Sequence, residues 1–135
     1  MILVTGGAYQ GKSTFIKNQY PESLAEAVDG KSAAFEDILK ASCIMSFEAW
    51  IRREVEKTPR EKWNGLEDEL TKKALEIAEK NPDVIIELPE VGLGLVPMDA
   101  VDRCVRESIG RMGCALAERA CEVYRLVMGQ AVRIK

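Results

Sequence analysis

The stretch Gly6-Gly7-Ala8-Tyr9-Gln10-Gly11-Lys12-Ser13 follows directly on the apolar run Met1-Ile2-Leu3-Val4-Thr5. Two glycines separated by four residues, then Lys and Ser, form the pattern of a phosphate-binding loop. Such a loop leaves a strand, curls around an anion and enters a helix. The backbone N–H groups from Gly7 to Ser13 then face the anion, backed by the positive end of the helix that starts near Lys12. Gly6, Gly7, Ala8, Tyr9, Gln10, Gly11, Lys12, Ser13 and Thr14 are the candidate nucleotide-binding residues. Lys12 is expected to reach the β- and γ-phosphates as a catalytic charge, and Ser13 to hold Mg²⁺ through its hydroxyl. A nucleoside triphosphate, ATP or GTP, is the expected substrate.

Outward from the loop, the 135 residues suit one domain, with 47% apolar and 30% charged residues and a net charge of −3. That balance points away from nucleic acid or an anionic membrane as main partner. With no long apolar run and no basic leader, the chain reads as cytoplasmic. Cys43, Cys104, Cys114 and Cys121 show no paired C-x-x-C spacing and are read as reduced thiols. The sequence contains no histidine. No imidazole is therefore present to act as base, nucleophile or metal ligand.

The first strand is expected at Ile2–Thr5 and the first helix from Lys12 to about Gln19, stopped by Pro21. Leu24–Val28 reads as a second strand ending at Asp29-Gly30; Asp29 is either a magnesium-shell candidate or plain turn chemistry. Ala33–Lys40 reads as a short helix. Ser46 is placed to cap a further helix carrying Phe47, Trp50, Ile51 and Val55 at helical spacing, with Arg52 and Arg53 on a solvated face. The loop Lys57–Gly65 precedes a helix running to about Lys80, and Val84–Leu88 has the character of a buried parallel strand. The Pro- and Gly-rich loop Pro89–Pro97 leads into a long helix with Val101, Val105, Ile109, Met112 and Leu116 inward. Gly110 and Gly113 cost that helix about 1 kcal/mol each relative to Ala, which suggests close packing or a ligand nearby. The chain ends as a hairpin, Glu122–Met128 and Ala131–Ile134, around a Gly129-Gln130 turn. The sum is an α/β fold with a mainly parallel sheet flanked by helices and a C-terminal hairpin at its edge.

The motif Glu90-Val91-Gly92-x-Gly94-x-Val96-Pro97, then Arg103, Gly110-Arg111 and Leu116-Ala117, resembles the adenosylcobinamide kinase / adenosylcobinamide-phosphate guanylyltransferase family. The opening Ile2-Leu3-Val4-Thr5-Gly6-Gly7-Ala8 with Gly11-Lys12-Ser13 is similar as well, as is the ending Glu122-Val123-Tyr124, Gly129 and Ile134-Lys135. The likeness covers about the first 16 residues and everything from Val84 onward. It implies a RecA-like nucleotide-binding fold, a homo-oligomer and a corrinoid substrate. It further implies phosphorylation of the aminopropanol hydroxyl of adenosylcobinamide by ATP or GTP, followed by GMP transfer through a guanylylated histidine.

The chain departs from that family in being shorter through its centre, where the family histidine sits. Tyr9-Gln10 stands where Arg-Ser is usual, and Pro89 and Gly113 each replace an Asn. The kinase half of the chemistry is compatible with these residues, whereas the guanylyl half lacks its histidine. Ligands in parallel sheets bind beyond the strands' carboxyl ends, which directs attention to the loop from Glu90. Glu90 is the candidate acceptor of the substrate hydroxyl proton or a magnesium-shell residue, with Glu87 a weaker alternative. Arg111 or Arg103 is the candidate to offset charge on the transferring phosphoryl group. Two other readings are a nucleotide-binding regulatory protein that has lost catalysis and a P-loop kinase for another small molecule.

Overall fold

A computed structural model describes residues 1–92 and 94–135. Its sheet has six strands: β1 (Ile2–Gly6), β2 (Ala27–Asp29), β3 (Cys43–Met45), β4 (Ile85–Glu87), β5 (Glu122–Val127) and β6 (Gln130–Arg133). They lie in the order β2-β3-β4-β1-β5-β6, all parallel except β6, which runs antiparallel to β5 at the edge. The helices are α1 (Lys12–Gln19), α2 (Phe35–Ile38), α3 (Phe47–Lys57), α4 (Leu66–Lys80) and α5 (Ala100–Arg119). The α/β class, the mainly parallel sheet and the terminal hairpin are as the sequence predicts.

Strand alternation divides the core in two. Leu3, Ile44, Ile86 and Val123 point into the larger part, which includes Trp50, Ile51, Ile77, Met112 and Leu116 from α3, α4 and α5. Val4, Cys43, Ile85 and Leu126 point the other way and meet Ile16 of α1. Successive side chains on a strand face opposite sides, so each inner strand is apolar on both. On α3, Phe47, Trp50, Ile51 and Val55 are all buried, and the Phe47 and Trp50 rings stack with centroids 5.2 Å apart. That stripe at helical spacing holds α3 against the sheet.

Several local expectations change. The strand expected at Leu24–Val28 becomes a 3₁₀ turn over Pro21–Leu24 followed by β2, because Pro21 starts a turn that the Ser23 hydroxyl closes on the Tyr20 carbonyl at 2.7 Å. The helix expected over Ala33–Lys40 shrinks to α2. β3 is unforeseen: a three-residue strand reads as noise until its neighbours are known. Ser46 does precede α3, but at φ +51 and without a side-chain capping bond. The long helix begins at Ala100 rather than at Pro97, with the Asp99 carboxylate accepting from the Asp102 N–H. The hairpin turn falls on Met128-Gly129, both at positive φ, one residue earlier than expected.

Arg53 is not on a solvated face. Its guanidinium donates to the carbonyls of Gly30 and Ala33, both at 2.9 Å, pinning the turn after β2 onto α3. The four cysteines are free, with Cys43 buried and Cys114 and Cys121 exposed. Burial, aided by the charge of Glu87, pushes the Cys43 thiol up to about 12, which keeps it protonated and unreactive. Among the described residues, no helix is long and apolar enough to cross a membrane.

Candidate phosphate site and its neighbours

β1 ends at Gly6, whose φ of +130 suits glycine, and a Cβ there would lie 2.5 Å from the Leu126 carbonyl oxygen of β5. The loop therefore starts where two strands crowd too closely for a side chain. Tyr9 sits at φ +58 with its ring fully exposed. The loop is braced from the hairpin: Met128 N–H donates to Gln10 Oε1 at 2.6 Å, and Gly129 N–H to the Gln10 carbonyl at 3.1 Å. The loop, Thr14 and Glu87 together line a cavity of about 300 Å³.

Lys12 is buried, and its ammonium donates to the carbonyls of Gly7 at 2.8 Å and Gly6 at 3.3 Å. Ser13 Oγ donates to Glu87 Oε1 at 3.1 Å. Glu87 is the site residue that the sequence reading ranked too low. Register explains its position: Val4 pairs with Glu87 across β1 and β4, so its carboxylate lies beside the loop on the α1 side of the sheet. It is buried, and its other oxygen accepts the Ser46 N–H at 3.4 Å. Among the described residues it pairs with no basic side chain. The available signal was a lone Glu at the end of an otherwise apolar run, Val84-Ile85-Ile86-Glu87-Leu88.

Asp29 lies elsewhere. β2 is three strands from β1, roughly 14 Å at the usual strand spacing. Its carboxylate accepts the Lys31 N–H at 2.9 Å and lines a separate cavity at the sheet edge, so it does its work as turn chemistry.

Glu90 lies beside the loop, its N–H donating to the Gly6 carbonyl at 3.0 Å. Its carboxylate is forked onto Arg125 of β5 at 2.6 and 3.0 Å, and that pairing holds the Arg125 guanidinium above its ordinary value. Arg111 does not reach the phosphate site. Its guanidinium sits on the α4–α5 surface with Glu107 at 2.9 Å, Asp68 at 3.2 Å and Glu67 at 3.8 Å. Arg103 is engaged with the carbonyls of Pro97 and Met98, and Arg106 with those of Gly94 and Leu95. α5 thus uses its arginines to tie down the loop before it.

Neither Gly110 nor Gly113 shows the close packing that the sequence suggests. A Cβ on Gly113 would sit 3.6 Å from Leu88, while one on Gly110 would meet nothing within 4 Å. Both border a shallow groove of about 300 Å³ beside Leu88, Pro89 and Glu90.

Curated proteins give no match to the chain. The family model for cobinamide kinase / cobinamide phosphate guanyltransferase matches residues 19–134, including the central segment where motif likeness alone gives no alignment. The phosphate loop precedes the matched range and is an independent observation. On that match the chain belongs to the cobinamide kinase / cobinamide phosphate guanyltransferase family, nucleotide-dependent transferases of cobalamin biosynthesis.

Proposed function

We propose that the protein is the kinase of this pair of activities, moving the γ-phosphoryl group of ATP or GTP to the aminopropanol hydroxyl of adenosylcobinamide. One observation carries the reading: Lys12, Ser13 and Glu87 line a single cavity at the mouth of β1 and β4. Phosphoryl transfer asks a protein for positioning and charge neutralisation rather than covalent chemistry. The loop N–H groups and the helix terminus hold the phosphates, while Lys12 turns from its two carbonyls onto the β–γ oxygens. A hydroxyl and a carboxylate are hard oxygen donors, so Ser13 and Glu87 fit Mg²⁺, which would offset phosphate charge when bound. The guanylyl half is set aside because a chain without histidine has no imidazole to carry GMP.

The test is purified protein with Mg²⁺, adenosylcobinamide, and ATP or GTP labelled at the γ- or α-phosphate, with Lys12→Ala as control. The expected result is γ-label on the cobinamide, absent in the variant. α-Label on the cobinamide would show guanylyl transfer by a route without histidine. Bound nucleotide with no transferred label would favour a regulatory protein or a different acceptor.

A further inference from the structure

A second cavity, of about 470 Å³, lies between α3, the loop that follows β4, and α5, with Val105 and Ile109 among its walls. Leu95, which lines it, is 95% exposed, and Val96 and Met98 beside that wall of the loop are 73% and 98% exposed. Most charged groups lining it are already engaged. Arg52 pairs with Asp102 at 2.6 Å, and Arg106 holds loop carbonyls. Glu48, in the first turn of α3, differs. Its Oε2 is buried and has no hydrogen-bond partner among the described residues. A sealed carboxylate oxygen costs stability unless something else retains it.

The surroundings of Glu48 also locate it. Burial raises its carboxyl above the ordinary 4.5; the charge of Glu87 pushes the same way, while Lys12 and Lys31 pull it down. Glu48 follows Ser46 by two residues, and the Ser46 N–H donates to Glu87 at 3.4 Å, so Glu48 stands beside the phosphate site while lining the second cavity. A strained corner holds it there. Ser46 is at φ +51, its N–H on Glu87, and a Cβ on Gly30 would lie 2.3 Å from the Ser46 carbonyl oxygen. Strain of this kind is retained where surrounding structure enforces a working geometry.

We propose that Glu48 is the catalytic base of the transfer, taking the proton of the acceptor hydroxyl while an apolar part of a bulky acceptor lies against Val91, Leu95 and Ile109. The proposal rests on the kinase reading above. In the step, the acceptor O–H proton passes to the Glu48 carboxylate and the oxygen lone pair forms the new bond to the γ-phosphorus. The bond from that phosphorus to the β–γ bridging oxygen breaks, and its electron pair leaves on the nucleoside diphosphate, held by Lys12 and the loop. Glu48 returns the proton to water after the product departs. Glu90 is worse placed for this role because both its oxygens already accept from Arg125, and Glu87 because both of its accept from Ser13 and Ser46.

The test compares wild type with Glu48→Gln and Glu48→Asp, using γ-labelled nucleotide, Mg²⁺ and adenosylcobinamide, with nucleotide affinity measured separately. Glu48→Gln is expected to bind nucleotide within about twofold of wild type and to transfer about 10²- to 10⁴-fold more slowly. Glu48→Asp is expected to keep more activity than Gln. The acid limb of the wild-type kcat profile is expected to vanish in Glu48→Gln. The groups facing Glu48 are Glu87 from β4, Lys12 from α1, Lys31 from the turn after β2, Arg52 on its own helix, and Asp102 and Arg106 from α5. Transfer by Glu48→Gln within about threefold of wild type would overturn the proposal and leave the kinase reading standing. So would a fall in transfer matched by an equal fall in nucleotide affinity. If Glu48→Gln does not fold, a wild-type rate and pH profile in Glu48→Asp would overturn it, and a slowed rate with intact nucleotide binding would support it. Wild type that binds nucleotide but transfers no label would overturn both readings together.

Discussion

The phosphate cavity and the cavity lined by Glu48 are linked through the start of α3, where the Ser46 N–H donates to Glu87, yet they are built in opposite ways. In the first, polar groups have partners: Lys12 on two carbonyls, Ser13 on Glu87, Glu87 on Ser46 and Gln10 on the hairpin tip. In the second, one carboxylate oxygen has none and large apolar side chains stand in water. The donor phosphate is the same group in every nucleoside triphosphate, so its binding site can be completed in advance by main-chain geometry. On the proposed reading the acceptor is bulky and arrives whole, which suits a site left as surface and one unsatisfied group. Preorganisation is concentrated where the ligand does not vary.

Four changes would break or sharpen that contrast. Beyond the loss of transfer already expected for Glu48→Gln, the largest effect is expected at Glu87. Glu87→Gln should lower label transfer by about 10²-fold and shift the Mg²⁺ dependence upward, because the carboxylate charge beside Ser13 is lost. Asp29→Asn, at the far strand, should leave both unchanged. A normal Mg²⁺ titration in Glu87→Gln would remove Glu87 from the phosphate site.

Next comes the corner that joins the two cavities. Gly30→Ala would drive a methyl group into the Ser46 carbonyl, a backbone atom that cannot swing aside. Overpacking of this kind costs about 2–3 kcal/mol, read as a lowered urea midpoint with unchanged slope. A wild-type midpoint would mean that the corner yields freely.

A smaller effect with an informative sign belongs to Glu48. Its carboxyl is raised in the folded state, so the folded protein binds more protons than the unfolded chain between pH 4.5 and the raised value. Stability from this group is therefore full below about pH 4.5 and lost as pH rises through the folded value. Glu48→Gln should melt higher than wild type at pH 7 and converge with it in acid. A variant that melts lower at pH 7 would show a hidden partner for the carboxylate. Higher stability beside lost transfer is the trade expected of a group kept for function.

The smallest effect is expected at Arg111. With its guanidinium held by carboxylates on the α4–α5 surface, Arg111→Ala should leave transfer within about twofold of wild type. A loss of tenfold or more would restore it to the phosphoryl group.

Legibility in the sequence followed the range of each interaction. The phosphate loop and the hairpin rest on local chemistry, glycines and lysine at fixed spacing or strands alternating around a turn, and both stand where the sequence put them. Glu87 and Asp29 exchanged importance because that depends on strand order, and β4 lying next to β1 with β2 at the edge is decided by tertiary packing. Glu48 gave no signal at all: a Glu one turn into an amphipathic helix is ordinary until its neighbours bury it. Glu90 was drawn from the position of its loop beyond a strand's carboxyl end and Arg111 from the charge that phosphoryl transfer must offset, and neither argument says what pairs with the residue. The arginine forked to Glu90 lies 35 residues away in the chain.

The bonds from Lys12 to the Gly6 and Gly7 carbonyls have a consequence for which anions the loop admits. The ammonium is not a bare charge waiting in solvent; a newcomer must outbid two carbonyl oxygens already in contact with it. Chloride or a lone monovalent anion offers one charge and no chelating geometry, too little to turn the side chain. A polyphosphate tail offers several oxygens at once and repays the exchange. On the proposed reading the contact sets a threshold that simple salt anions do not cross and triphosphates do.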